Sequence, residues 1–504
     1  MNHYLTFDYG TTSIKACLID AELRMLAQCI EEYDLLTDDA KIEMNSEEYW
    51  NAMRRAVTQL RRRASLEQVA AICITTQGET MLPVDERGNA LCNAVVWLDS
   101  RADAQAEEIA SLVSAQTFYQ ETGLTETGGA LPLSKLLWFR EAQPEIYRRA
   151  FRFLLLEDFL VMRLTGRFVT EASLQTSTGW YSLRRGGYWT ELLQSLGLDV
   201  KKLPELLSCG ADAGTLRPQA AQALGLSPGV RVVMGAMDQI AAAIGGGGLR
   251  PGILTATVGT ALVMTALYPS QALPQPPMIV YQGCTPAQRV LLPFCPAAGV
   301  VFKWLKDTVF PAEARACAQR GENIYDTLCA LAQKAPPGAG GVTLLPCFSG
   351  SLQPRLLPEA SGVLFGLTLN TGRAELVRAV LESVGFLLRE NLELLRALGM
   401  PARQVHFFGG GSKNAFWNQL IADVTGTELV LLEQSECGSM GAAMLASVRL
   451  GDQPDLAAAQ RCSKIAQIVR PNAEAHAAYE PFYRRYQQVF QCNEILFQKG
   501  TKSI

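Results

Sequence analysis

Histidine is almost missing from this sequence: His3, His406 and His476 are the only three in 504 residues. A Ser-His-Asp hydrolase or a multi-histidine metal site would have to be built from these, and none has the flanking residues for either. A carboxylate is therefore the expected general base. An excess of one charge is missing too, since the net charge is −4 and the pI about 5.7. That balance gives no electrostatic footprint for nucleic acid or for an anionic membrane. The densest basic run, Arg61-Arg62-Arg63, closes an amphipathic stretch and reads as a helix C-terminus complementing its dipole. No run approaches the ~18 apolar residues that cross a bilayer. The opening from Met1 to Asp8 goes straight into a strand, without a basic segment and apolar h-region. Thirteen cysteines are scattered from Cys17 to Cys492 without a C-x-x-C pair, so neither a zinc site nor a redox dithiol is indicated. Buried, reduced thiols in a cytoplasmic protein are the expectation. Neither a Walker-type G-x-x-x-x-G-K-[ST] loop nor a G-x-G-x-x-G between strand and helix occurs, which removes two common nucleotide motifs.

What is present is an ordinary globular composition, 48% apolar and 19% charged, in a chain long enough for two large domains. The glycine-rich stretch from Gly235 to Gly252 marks the boundary. It divides the chain into residues 1–248, residues 249–490 and a polar tail, 491–504, to which no role is assigned. Leu5 to Asp8, Ser13 to Ile19 and Met25 to Glu31 read as a three-stranded meander. Ser46 to Arg63 reads as a helix, with Trp50, Met53, Val57 and Leu60 at helical spacing. Further strands are expected at Val69 to Thr76, Ala94 to Trp97, Ile253 to Thr257, Val405 to Phe408 and Glu428 to Leu432. Helices are expected over Ala102 to Gln116, Pro132 to Glu141, Thr371 to Leu398 and Gly438 to Leu450. The Thr- and Ser-rich stretch from Val169 to Leu183 is expected to be irregular. Strands alternating with helices in both halves indicate the α/β class with mixed or parallel sheets.

Three turns have the composition that lies against phosphates. In Asp8-Tyr9-Gly10-Thr11-Thr12, glycine and small hydroxyl residues leave backbone N–H groups free and allow close approach. Val258-Gly259-Thr260 repeats this in the second half, and Gly409-Gly410-Gly411 precedes a helix N-terminus. Between them, Arg231-Val232-Val233-Met234 is a short buried strand that ends at Gly235, so that Asp238 sits at a strand-to-helix turn. A carboxylate there can face solvent as a base or simply cap the helix.

These residues carry a resemblance. Phe7-Asp8-Tyr9-Gly10-Thr11-Thr12-Ser13, Ala236-Met237-Asp238-Gln239, Thr257-Val258-Gly259-Thr260, Ser361-Gly362-Val363-Leu364-Phe365-Gly366-Leu367-Thr368, Phe408-Gly409-Gly410-Gly411-Ser412-Lys413-Asn414 and Gly438-Ser439-Met440-Gly441-Ala442-Ala443 resemble, in order, the FGGY family of carbohydrate kinases. The resemblance implies a two-domain fold of the actin and hexokinase (ribonuclease H-like) type with a central cleft for ATP and sugar. It implies ATP and Mg²⁺ as cofactors, a small sugar or polyol as partner, and a possible homodimer. Asp8 would hold Mg²⁺, with Thr11 and Thr12 near the phosphates. Asp238 would be the general base. Gly259 and Thr260 would lie at the ATP phosphates, and Gly410, Gly411 and Asn414 near the adenosine.

For the sugar, the same resemblance points to Gln77, Glu79, Trp97, Asp238 and Gln239. Gln77-Gly78-Glu79-Thr80 looks like the Gln-Arg-Glu-Thr loop of glycerol kinases, except that Gly78 replaces the arginine. Ala130 likewise stands where those enzymes carry a tyrosine. Both departures remove side chains that would contact a three-carbon polyol. The expected substrate is a longer ketose or polyol, of four to six carbons and xylulose-type, phosphorylated on a terminal hydroxyl. Two other readings stay open: an actin- or chaperone-like ATPase of the same fold, and a sugar sensor without activity.

Overall fold

The computed structural model describes residues 2–38 and 41–498; the end of the tail, 499–504, lies outside the described residues. The chain forms two compact units, each assembled from separated segments. The first comprises 1–247, 268–291 and 436–463; the second comprises 248–267, 292–435 and 464–504.

In the first unit a sheet runs in the order Asp212–Thr215, Arg231–Val233, Val69–Thr76, His3–Tyr9, Ser13–Asp20, Met25–Glu32. The last three strands are the expected antiparallel meander. Val69–Thr76 pairs parallel with His3–Tyr9, and Arg231–Val233 pairs parallel with Val69–Thr76. This arrangement places Asp8, the Gln77-to-Glu79 loop and Asp238 at the carboxyl ends of three adjacent parallel strands, where open α/β sheets bind ligands. The register supports this: Asp8 lies opposite Thr75, and Thr76 bridges Met237. The helix Ser46–Arg61 covers the sheet with Tyr49, Trp50, Met53, Val57 and Leu60. It starts at Asn45, whose side chain accepts from Glu47 N at 3.0 Å.

The second unit repeats the plan. Ile253–Val258 pairs antiparallel with Leu262–Tyr268 and parallel with Gln404–Phe408, which pairs parallel with Glu428–Leu432. Ile465–Val469 closes this edge antiparallel. Gly259 and Gly409 therefore again follow the carboxyl ends of neighbouring parallel strands. The first strand paired antiparallel on one side and parallel on the other is the ribonuclease H-like arrangement that the sequence led us to expect.

Four features differ from expectation. The helix expected over 102–116 is two, Asp103–Leu112 and Ala115–Thr122, because Ser114 turns the chain and caps the second by accepting from Thr117 N. The stretch from Val169 to Leu183 is buried throughout and contains a strand, Val169–Glu171, and a helical turn, Ala172–Gln175. It can be buried because its hydroxyls bond back to its own carbonyls: Thr176 to Ser173 O, Ser177 to Leu174 O and Thr178 to Gln175 O. The stretch after Cys492 continues the helix Ala473–Gln498 and buries Phe497. Of the cysteines, Cys462 and Cys492 are exposed rather than buried. No helix among the described residues is long and apolar enough to cross a membrane.

Two helices of the first unit meet without side chains between them. A Cβ on Gly245 would be driven into Cys437 O, and one on Gly441 into Ala241 O. The helices Asp238–Gly245 and Cys437–Leu450 thus contact backbone to backbone. A methyl group at Gly441 has no flexible neighbour to displace, so Gly441→Ala should destabilise the protein by about 1–3 kcal/mol or more. Thermal unfolding of the variant against wild type measures this; an unchanged midpoint would remove the backbone contact as a constraint.

Candidate functional site

The turn before Asp238 is fixed by its backbone. Gly235 cannot carry a Cβ, which would collide with Ile74 O. Its N–H donates to Glu157 Oε1 at 2.8 Å, Ala236 O accepts from Thr75 Oγ1 at 2.7 Å, and Met237 N donates to Ser173 Oγ at 3.1 Å. Asp238 is then the first residue of its helix, and its Oδ1 accepts from Gln239 N at 2.6 Å. A helix N-terminus lowers a carboxyl pKa by an interaction of about 0.3–1 kcal/mol, less than one pKa unit. Burial acts the other way and is stronger. Desolvation first, and the charge of Asp8 second, push the Asp238 carboxyl up to about 7.

Glu79 follows the neighbouring parallel strand. It sits in the left-handed region at φ 67°, a conformation that costs a non-glycine residue of order 1–3 kcal/mol and clusters at functional sites. Burial, reinforced by the charge of Asp238 and opposed by Lys135, raises its carboxyl to about 7. Lys135 is fully buried, donates to Val96 O at 2.9 Å and is lowered to about 8 by desolvation, against the pull of Glu79 and Asp99. Gln77 Nε2 donates to Thr80 Oγ1 at 3.1 Å, while Gln77 Oε1 is buried without a hydrogen-bond partner. Thr80 Oγ1 also accepts from Trp97 N, and Trp97 Nε1 donates to Thr11 Oγ1 at 3.0 Å. Two residues on, Asp99 takes a bidentate contact from Arg101 and accepts from Ile42 N, which anchors the Trp97 loop. At Gly78 an added Cβ would meet Ser177 Oγ at 3.1 Å and Met237 Sδ at 3.6 Å. Part of the space left by the missing side chain is therefore filled by these two. Sequence reasoning missed Tyr281, whose phenol is pushed far up by burial and by the charges of Glu79 and Asp238. Nothing in its local sequence distinguishes it, because it reaches them through the separate segment 268–291.

Asp8 completes the first unit's group. Burial raises its carboxyl to about 6, against the pull of Lys15. Lys15 itself pairs with Glu436 at 2.8 Å. A Cβ on Gly438 would lie 2.6 Å from Asp8 Oδ2, so glycine is what lets the Cys437–Leu450 helix approach that carboxylate. This role for the Gly438-to-Gly441 spacing is visible only in three dimensions. Thr12, in the same turn as Thr11, is exposed. Gln239 is half-buried, and its side chain hydrogen-bonds to the Asp238 carboxyl, which opposes the upward shift there.

In the second unit Gly259, Thr260, Gly410, Gly411 and Asn414 line one cavity of about 400 Å³. Close backbone approach shapes it: Gly409, at φ 90°, could not carry a Cβ without meeting Thr257 Oγ1 at 2.6 Å, nor Gly411 without meeting Val258 Cβ at 2.8 Å. Asn414 caps the helix Ala415–Thr425 by accepting from Trp417 N and donates to Asp326 Oδ1 at 2.8 Å. Phe302 packs edge-on against Tyr325 and Trp417, with ring centroids at 5.1 and 5.7 Å. Phe302, Tyr325 and Asp326 were not singled out in the sequence, since they come from helices without a motif. An aromatic cluster, glycines that allow close backbone approach and a few polar groups suit a nucleotide base and its phosphates.

Comparison with known proteins agrees with this geometry. The description of the FGGY family of carbohydrate kinases matches residues 3–245 with its N-terminal domain and 254–450 with its C-terminal domain. The chain is 30% identical over 496 residues to a xylulose kinase of Escherichia coli (strain K12), covering 96% of this chain and 99% of that one. It is 25% identical over 446 residues to a gluconokinase of Bacillus licheniformis, covering 88% and 87%. The solved structure of ligand-bound xylulose kinase from Lactobacillus acidophilus superposes with a TM-score of 0.90 at 23% identity, over 99% of this chain and 100% of that one.

The raised carboxyl of Asp238 has a consequence for stability. Folded Asp238 holds its proton up to about pH 7, whereas the ordinary value is 3.8. The folded state thus binds more protons than the unfolded state between these values, and stability falls as pH rises through that window. Asp238→Asn is expected to be more stable than wild type at about pH 8, by on the order of 1–3 kcal/mol, with the gain vanishing near pH 4. Thermal melts across this range test it; a gain that does not change with pH would exclude a desolvated carboxylate as its source.

Proposed function

This chain belongs to the FGGY family of carbohydrate kinases, and from that premise we propose that it transfers the γ-phosphate of ATP to a terminal hydroxyl of a neutral ketose or polyol of four to six carbons, with a xylulose-type sugar favoured. The observation that carries this reading is the placement of Asp238 and Glu79 after adjacent parallel strands, with both carboxyls raised to about 7 chiefly by burial. Asp238 is proposed as the general base. A group with a pKa near the working pH is matched to accepting the proton of an attacking hydroxyl. The hydroxyl oxygen bonds to the γ-phosphorus, the bond to the leaving ADP breaks, and the proton passes to Asp238. Glu79, Gln239 and the unpartnered Gln77 Oε1 would accept from other sugar hydroxyls, with Trp97 as a wall. Two carboxylates, with Lys135 as the one cation acting on Glu79, disfavour an anionic sugar acid. That argues for a neutral sugar rather than the substrate named for the gluconokinase relative.

The nucleotide is assigned to the second unit's cavity, with Gly259 and Thr260 at the phosphates and Gly410, Gly411 and Asn414 at the adenosine. Thr11 and Thr12 are assigned to the phosphates from the first unit. Residues 1–248 would thus carry the sugar and the base, and 249–490 the nucleotide. Asp8 fits Mg²⁺: it is an oxygen donor, desolvated, and accepts no hydrogen bond among the described residues. No cluster of three His, Cys, Asp or Glu side chains that could hold a metal occurs among those residues. That suits an ion which keeps several waters and binds through one or two carboxylates plus substrate phosphates. When bound there, Mg²⁺ would neutralise phosphate charge.

ADP release with Mg-ATP over xylulose, ribulose, xylitol, arabinitol, glycerol and gluconate tests the reading. Xylulose is expected to give the highest kcat/KM; gluconate or glycerol as best substrate would overturn the pocket assignment, and full ATP turnover without any sugar would overturn the kinase reaction. With the best sugar, Asp238→Asn should lower kcat by about 10²–10⁴-fold with KM changed little. Wild-type kcat/KM should fall as pH drops below about 7, where Asp238 takes up its proton. A profile flat down to about pH 5 would exclude Asp238 as the base.

A further inference from the structure

Behind the Asp238 turn lies a group of buried acids that the proposed reaction does not use. Glu157, Asp158 and Glu171 are all fully buried, and among the described residues none of them pairs with a lysine or arginine. Burial raises all three carboxyls, Asp158 to about 8 and Glu157 well above its ordinary value. Burial disfavours the charged form of Glu157, and its Oε2 has no hydrogen-bond partner. Apolar side chains would fill the same space at lower free-energy cost. What the acids supply instead is oriented oxygen. Glu157 Oε1 accepts from Gly235 N at 2.8 Å. Glu171 Oε1 accepts from Ser173 Oγ at 2.8 Å, and Glu171 Oε2 from Ser173 N at 2.6 Å and from the Cys209 thiol at 2.8 Å. Ser173 Oγ, held this way, accepts from Met237 N at 3.1 Å, one residue before Asp238. Gly235 cannot yield sideways, because it already lies against Ile74 O.

We propose that Glu157 and the Glu171–Ser173 pair are positioning residues for phosphoryl transfer: they clamp the amides of Gly235 and Met237 and so fix the carboxylate of Asp238 against the acceptor hydroxyl. The proposal rests on the reading of Asp238 as the base. A reacting group displaced by about 1 Å can lose ~10²-fold in rate, so a clamp of this kind acts on kcat rather than on sugar affinity. Removing the Ser173 hydroxyl leaves the buried Met237 amide unpaired. The turn then opens to recover a partner from water, and the Asp238 carboxylate gains hydration.

The test compares Ser173→Ala, Ser173→Cys, Glu157→Ala and Glu157→Gln with Asp238→Asn in the full-length protein, using the best sugar from the panel. Rates are expressed per folded enzyme, and ADP binding reports the integrity of the second unit. Ser173→Ala and Glu157→Ala should each lower kcat by ~10–100-fold with the sugar KM within about threefold of wild type. Both should move the acid limb of the pH profile to lower pH, because a hydrated carboxyl ionises more readily. Glu157→Gln should recover most of the activity lost in Glu157→Ala, since its amide oxygen can accept from Gly235 N in a side chain of the same shape. Ser173→Cys, a weaker acceptor of similar shape, should fall between wild type and Ser173→Ala, and it carries the test if the alanine variant does not fold. Wild-type kcat and acid limb in the serine and alanine variants, with Asp238→Asn inactive, would overturn the clamp and leave the base standing. An active Asp238→Asn would instead overturn the base reading on which the clamp depends.

Discussion

Where the Asp238–Gly245 helix crosses the Cys437–Leu450 helix, glycine lets one backbone lie directly on the other, and the first unit's candidate site depends on that contact. The same helix that receives Gly245 at Cys437 brings Gly438 against the Asp8 carboxylate and Gly441 against Ala241. One glycine-studded helix therefore fixes two carboxylates that begin far apart in sequence. The helix that carries Asp238 cannot move toward its partner without a backbone clash, and glycine at 438 leaves the Asp8 carboxylate its room.

The second theme is the desolvation of half-buried carboxyls. Asp8, Glu79 and Asp238 are raised to about 6, 7 and 7, in each case chiefly by burial. The helix dipole at Asp238 is too weak to reverse this, and Lys135, itself lowered by burial, compensates Glu79 only in part. Such a group destabilises the empty protein above the pH at which it ionises. It also provides what proton transfer to or from a hydroxyl needs: carboxylates poised near neutrality and strong electrostatics in a low-dielectric setting. On the proposed reading, stability is given up at the residues that would carry out the reaction, as is common at functional sites.

Much of this was legible in the sequence because it is local. The strand–turn composition of Asp8 to Thr12, the β-branched strand ending at Gly235, and the long apolar stripe of the Arg373–Ala397 helix each follow from patterns a few residues long. The residues expected at the nucleotide, Gly259, Thr260, Gly410, Gly411 and Asn414, do line one cavity. The stretch from Val169 to Leu183 was misjudged for a physical reason: serine and threonine mark loops only while their hydroxyls face water, and here they satisfy their own backbone. Tyr281 and Glu157 escaped in part because each acts on residues remote in sequence.

By itself, then, the sequence determined the α/β plan of alternating elements, the two glycine–threonine turns and the carboxylate at a strand-to-helix junction. These are consequences of periodicity, backbone freedom and turn chemistry, which act over short distances along the chain. Only the tertiary structure decided which carboxyls are desolvated and what grips the turn before Asp238. It also decided why Gly438 and Gly441 must be glycine. Burial, close approach and electrostatic influence are properties of neighbours in space, and parallel pairing brings Asp8, Glu79 and Asp238 together from strands separated by long stretches of chain.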